Sequence, residues 1–364
     1  MSQFVRSVIL FVFALSGASF AAAQKPASAA SDDWPYYGHD AGGMRYSPLA
    51  QINRDNVSEL KIAWTFHTGD MSDGSGGRPR GGFETTPILV DGTLYLTTGF
   101  NRVIALDPET GKQRWVYDPK INLTWDFGDG LINRGVATWL DVESKTKICR
   151  RRIYEATLDA RLIALDAATG EPCMDFGKNG EVSLRDVANY WQGVYHVTSP
   201  PAVVDDVVVV GSAINDNMRA NMPSGVVRAF NTRTGALLWK WDPIPPNAEA
   251  ASGRSDSPAK TWRTGAANAW SVIVADPERH LFFVPTGSAS PDMYGGLRRG
   301  DDKWADSVVA LRAKTGEVGW GSQLVHHNLW DYDTAAAPPS LRSLTTGEKS
   351  PSSFKATNPG SSNF

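Results

Sequence analysis

Short apolar runs closed by polar turns recur along this chain, and four of them share one outline. Val103–Leu106 runs into a turn at Thr110-Gly111 and a second run that ends at Trp115. Ala229 to Trp239, turning at Thr234-Gly235, and Ala310 to Trp320, turning at Thr315-Gly316, repeat it; Ala164 to Cys173 does so with Cys near the Trp place. Strand, tight turn, strand is the reading, with Gly supplying the positive φ that the turn needs. The starting alanines lie 59, 65 and 81 residues apart, so the unit is fixed while its loops vary. Hairpins repeating on this scale with one aromatic position predict an all-β propeller, the Trp packing between neighbouring blades. A β-sandwich with chance likeness between its hairpins is the competing arrangement.

Other elements follow the same pattern. Leu60–Thr68 is predicted as the first strand, Ile88–Val90 with Thr93–Thr97 as a strand pair, and Val207–Val210 as a buried strand after a turn at Asp205-Asp206. A further pair spans Arg152–Leu165 and Glu171 onward, and Trp270–Ile273 with His280–Pro285 forms another hairpin. Ser72–Gly82, 119–151 and Pro243–Gly265 read as connections. No helical periodicity of any length appears.

Composition changes this picture little. Among 364 residues, 13 are Trp, and 34 Gly with 22 Pro suit a turn-rich β protein. A net charge of −3 without a basic run argues against nucleic acid as a partner. The first 23 residues read as an export signal: Arg6, the apolar core Val8–Leu15, then Ala21-Ala22-Ala23 before Gln24. That core is about half of what spans a bilayer, so a soluble periplasmic protein is expected. Residues 24–32 read as a flexible lead-in and 33–339 as the propeller. Cys149 and Cys173 bracket one strand pair and are either bridged or buried as thiols.

The Thr-Gly-Trp repeat resembles the Trp-docking motif of quinoprotein dehydrogenases, which carry pyrroloquinoline quinone (PQQ). The likeness extends from about Asp33 to Pro339, through Trp34-Pro35 to Gly38, Arg45-Tyr46-Ser47-Pro48-Leu49 and Asn133-Arg134-Gly135-Val136, and is nearest the glucose, quinate and polyol branch. It implies an eight-bladed ring, about half of it here, and oxidation of an alcohol, sugar or cyclic polyol. It also implies a set of site residues. Trp270 matches the tryptophan on which the cofactor ring stacks, Arg134 the arginine that pairs with cofactor oxygens, and Glu84 and Thr198 contacts to the ring edge. Asp216 and Asn217 match a metal-binding pair, with Ser290 where the family has Thr or Asn; oxygen donors suit Ca²⁺ or Mg²⁺. Two acidic clusters flank the last repeat, and either could supply the base that takes the hydroxyl proton as hydride leaves for the quinone. Asp331 has the glucose-branch surroundings, while Asp301 falls where the alcohol dehydrogenase branch keeps its base. Phe100 stands where the glucose branch has His, which argues against glucose itself. Electrons would pass to ubiquinone or another respiratory acceptor, since no Cys-x-x-Cys-His haem motif is present.

Residues 340–364 break the style, being Ser/Thr/Pro-rich without a strand pattern. A one-base frame shift would explain this, because codons chosen for 349–362 can encode a strand and turn in the shifted frame. Two other functions are consistent with the repeat: a non-catalytic propeller of the outer-membrane assembly type, and an inactive truncated fragment.

Overall fold

The computed structural model describes residues 33–244, 265–298 and 300–339. Within them the chain folds into four antiparallel four-stranded sheets, as a propeller requires. The first holds β1 (Ile88–Val90), β2 (Thr93–Thr97), β3 (Val103–Leu106) and β4 (Gln113–Tyr117) in meander order. The second holds β5 (Ala137–Leu140), β6 (Arg151–Ala156), β7 (Arg161–Asp166) and β8 (Glu181–Ser183). A ribbon of β9 (Tyr195–His196) with β12 (Ala213–Ile214) accompanies the third, whose strands are β10 (Ala202–Val204), β11 (Val207–Val210), β13 (Val227–Asn231) and β14 (Leu237–Trp241). The fourth holds β15 (Val274–Asp276), β16 (Leu281–Pro285), β17 (Ser307–Arg312) and β18 (Val318–Gln323).

Each repeat forms the outer hairpin of one blade. The turn glycines Gly111, Gly170, Gly235 and Gly316 all have positive φ, between 68° and 76°. In three copies the Thr hydroxyl bonds a carboxylate or amide oxygen at the strand's end, as Thr110 Oγ1 does to Asp107 Oδ1 at 2.8 Å. Ala105, Ala229 and Ala310 each stand opposite the Trp of their own copy, and a register shift follows each.

The tryptophans then dock on the next blade. Trp115 packs on Gly170, with Nε1 donating to Ala167 O at 3.0 Å; Trp239 packs on Gly316 and donates to Ala313 O at 2.8 Å. A Cβ on Gly170 or Gly316 would meet the indole at about the same 2.5–2.6 Å, so only Gly admits the ring. Blade two has no such Trp. There Cys173 is bridged to Cys149, and Arg152, fully buried, reaches across to Arg233 O at 2.7 Å on blade three.

The core lies between the sheets. Ile88, Val103 and Ala105 of blade one meet Ile153, Ile163 and Leu165 of blade two, and Val209 and Ala229 of blade three meet Phe282 and Val309 of blade four. The opening segment ties the blades together: Trp34 bridges to Leu89 on β1, and Ala41 O accepts from Ala275 on β15.

Several sequence expectations need correction. Leu60–Thr68 has a strand's alternating exposure near its end, and Trp64 docks on Gly111, but it pairs with no strand among the described residues. The connection 119–151 contains β5, whose four residues are too short to stand out by pattern. Arg152–Leu165 is two strands with a turn between. The strand expected at Trp270 begins only at Val274, and the Trp270 carbonyl accepts the Ser199 hydroxyl at 2.5 Å. The segment 340–364, the export signal and most of the Pro243–Gly265 loop lie outside the described residues.

Candidate active site

The candidate residues fall at one end of the sheets for a topological reason. Glu84, Arg134, Thr198 and Trp270 each precede the first strand of a blade by a few residues, in blades one to four respectively. Asp216, Asn217 and Ser290 follow second strands, and Asp331 follows a fourth. In an antiparallel meander the start of strand one, the end of strand two and the end of strand four share one edge. Pattern and topology therefore bring distant residues together.

The four first-strand residues form a chain of contacts from blade to blade. Arg134 pairs with Glu84 at 3.0 Å and donates to Thr198 Oγ1 at 2.6 Å. Its guanidinium lies 5.2 Å from the Trp270 ring centre, within reach of the ring's negative face. Backbone bonds repeat the linkage, Thr86 N to Arg134 O at 3.1 Å and Arg134 N to Thr198 O at 2.8 Å. Trp270 Nε1 donates to Asp333 Oδ2 at 2.7 Å, and the other oxygen of Asp333 accepts from Ser288 N at 2.6 Å.

These groups open on one cavity of about 380 Å³, whose wall includes Glu84, Arg134, Trp270, Asp216, Asn217 and Asp331. Asp216 is raised well above the usual carboxylate range by burial and by repulsion from Asp292, Asp333 and Asp331. Asp292 is raised too, by burial and then by Asp331 and Asp333, with Arg298 opposing. Among the described residues, both buried oxygens of Asp292 lack a hydrogen-bond partner. Crowded carboxylates with unmet acceptors suit a hard cation, although among the described residues no three His, Cys, Asp or Glu side chains close on a single point.

Two expected residues stand elsewhere. Ser290 is fully buried and its hydroxyl is spent on the carbonyls of Asp216 and Arg219, both at 3.3 Å, so it braces the Asp216 turn from behind. Asp301 lines a different, more open cavity of about 840 Å³ with His327 and Tyr294. His326 and His327 form no joint site, since His327 Nδ1 bonds Gly300 O at 2.8 Å.

Sequence reasoning missed Asp333, Asp292 and Asp129. Asp333 follows Asp331 at a spacing of two, which was a usable signal; the other two are recruited only by tertiary contact. Arg298, fully buried, holds this floor: it donates to Pro291 O, Asp292 O and Asn328 O, and its Nη1 bonds Asp302 at 2.6 Å.

A family model described as the β-propeller domain of glucose, ethanol and alcohol dehydrogenases, of PQQ type, matches residues 34–361. The chain belongs to this family. It is similar to quinoprotein glucose dehydrogenase A of Acinetobacter calcoaceticus, 37% identical over 334 residues, which cover 87% of this chain and 40% of that protein. It is 38% identical over 325 residues to a quinate/shikimate dehydrogenase (quinone) of Acinetobacter baylyi, covering 84% of this chain and 39% of the relative. Among solved structures, the quinohemoprotein alcohol dehydrogenase of Comamonas testosteroni superposes with a TM-score of 0.68 at 29% identity, covering 87% of this chain and 44% of that one. The chain thus spans about two fifths of the length of the curated relatives it matches. No helix of the described residues is long and apolar enough to cross a membrane.

Proposed function

We propose that this chain carries the cofactor site of a periplasmic PQQ-dependent dehydrogenase that oxidises an alcohol, sugar or cyclic polyol and passes electrons to ubiquinone or another respiratory acceptor. The observation that supports it best is the Glu84–Arg134–Thr198–Trp270 chain facing Asp216 and Asp331 across one cavity. It combines an aromatic face, a forked cation and a carboxylate cluster, the three features a flat, acidic quinone with a divalent metal requires. A non-catalytic propeller has no need of that combination.

The residues present fit both groups. Trp270, held at its indole nitrogen by Asp333, offers the stacking face, and Arg134 offers planar donors for carboxylate or quinone oxygens. Asp216 and Asn217, backed by Asp292, would be the oxygen donors for Ca²⁺ or Mg²⁺, whose charge would offset the burial and the carboxylate repulsion that raise Asp216. When bound, PQQ supplies a two-electron acceptor polarised by the metal. Asp331, on the same wall, takes the substrate hydroxyl proton as general base. The apolar leader Val8–Leu15 and the Cys149–Cys173 bridge support an oxidising, exported setting.

Tryptophan fluorescence tests this reading. Adding PQQ with Ca²⁺ should quench emission from Trp270, and chelating the metal should reverse most of the effect. Emission indifferent to PQQ at any Ca²⁺ concentration would sink the proposal.

A further inference from the structure

Asp129 and His196 are far apart in the chain and meet at the edge of the cavity, and the reaction outlined above uses neither. His196 Nε2 lies 3.2 Å from Asp129 Oδ2. The imidazole is fully buried against the Phe127 ring, 5.9 Å between centroids, and its Nδ1 has no hydrogen-bond partner among the described residues. That arrangement fixes the tautomer. A proton on Nδ1 would be a buried, unmet donor and would turn the Nε2 lone pair toward a carboxylate; a proton on Nε2 donates to Asp129 instead.

The histidine therefore holds one carboxylate oxygen, and the side chain, 49% exposed, belongs to the cavity wall beside Glu84, Arg134 and Asp216. Burial works to raise Asp129, but the hydrogen bond from His196 and the attraction of the nearby Arg134 help to keep it below the usual carboxylate range. It stays ionised and can only accept hydrogen bonds. A tricarboxylate cofactor is repelled by such a group, whereas a substrate with several hydroxyls brings it donors.

We propose that Asp129 is a specificity-determining residue that accepts a hydrogen bond from a substrate hydroxyl other than the one oxidised, with His196 as its positioning residue, so that the site selects polyhydroxylated substrates. This rests on the dehydrogenase reading. In Asp129→Asn the His196 Nε2–H claims the amide oxygen, which leaves the NH₂ facing the cavity and replaces an acceptor with a donor. His196→Gln retains a donor for Asp129, and His196→Leu removes it.

The test compares glycerol with 1-propanol, which share a carbon chain and differ in the extra hydroxyls. Binding of each to the chain loaded with PQQ and Ca²⁺ is followed by saturation-transfer NMR, and loading by tryptophan quenching. The preference for glycerol should fall about tenfold or more in Asp129→Asn and in His196→Leu, and recover in His196→Gln. An unchanged preference in Asp129→Asn, with PQQ still quenching, overturns this inference alone. So does equal loss in both His196 variants. If PQQ does not quench the unaltered chain, the dehydrogenase reading falls and this inference falls with it.

Discussion

The Arg134 guanidinium stands 5.2 Å from the centre of the Trp270 ring, although the two residues belong to blades two and four. Thr198 of blade three lies between them, bonding Arg134 at 2.6 Å and the Trp270 carbonyl at 3.4 Å. One cation thus holds the openings of three blades around the proposed cofactor face, and Glu84 of blade one braces it at 3.0 Å.

Arg134→Lys is the first prediction. Lysine keeps the charge but cannot reach Glu84, Thr198 and the indole face together, because an ammonium lacks the planar fork. Its affinity for PQQ should fall about tenfold, nearly as far as that of Arg134→Ala. Equilibrium dialysis against PQQ with Ca²⁺ reads this directly, and a Lys variant that binds like the parent would show that charge alone suffices.

The base assignment is equally open to measurement. Asp331 shares a cavity with Trp270 and Asp216, and Asp301 lines another. Asp331→Asn should therefore lower kcat by about a hundredfold or more, the usual worth of a positioned general base, while PQQ quenching persists. Asp301→Asn should leave kcat within about twofold. The reverse pattern in steady-state rates would make Asp301 the base.

What was legible follows from how each contact is encoded. The blades were legible because Thr-Gly turns and, in three of the four copies, a Trp ten residues after the Ala are local, and their geometry is dictated residue by residue. Arg134, Thr198, Trp270 and Asp216 could be named because each sits in a short motif at a blade edge. Asp129 could not, since its partner His196 is 67 positions away and neither flanking segment repeats. Leu60–Thr68 was misread because alternation reports which side is covered, not whether a neighbour supplies a ladder. Ser290 falls at a ligand position only by its motif, and its hydroxyl is consumed by the carbonyls of Asp216 and Arg219, contacts that no sequence pattern reveals.

A pH prediction comes from Glu155 on β6, which is fully buried and has neither oxygen hydrogen-bonded among the described residues. Burial raises it well above its ordinary value of 4.5; Arg161 opposes the rise, while Asp159 and Asp118 add to it. Its folded-state value is thus the higher one. The associated stability is fully present below about 4.5 and is lost as pH rises through the folded value. Glu155→Gln should match the parent in mild acid and exceed it by about 2 °C or more in Tm at alkaline pH. Thermal melts across pH 5 to 9, roughly the range over which such a group ionises, check this; parallel curves would mean Glu155 does not control it.

The last prediction concerns the blade that lacks a docking tryptophan. Where Trp115 and Trp239 seal the joints after blades one and three, the joint after blade two has Cys173, tied to Cys149 across 24 residues. Arg152 takes over the cross-blade hydrogen bond, and it is fixed in turn by the Cys149 carbonyl at 3.1 Å and by Asp175 at 2.6 Å. The bridge therefore closes a loop and also anchors the side chain that substitutes for the indole. Loop closure over this length is worth about 3 kcal/mol. Cys149→Ser with Cys173→Ser should cost at least that in urea unfolding, because Arg152 loses its support as well. Arg152→Met should cost less in the double-serine background than in the parent, since the two changes remove one shared device. Strict additivity between them would mean that the bridge and the arginine act separately.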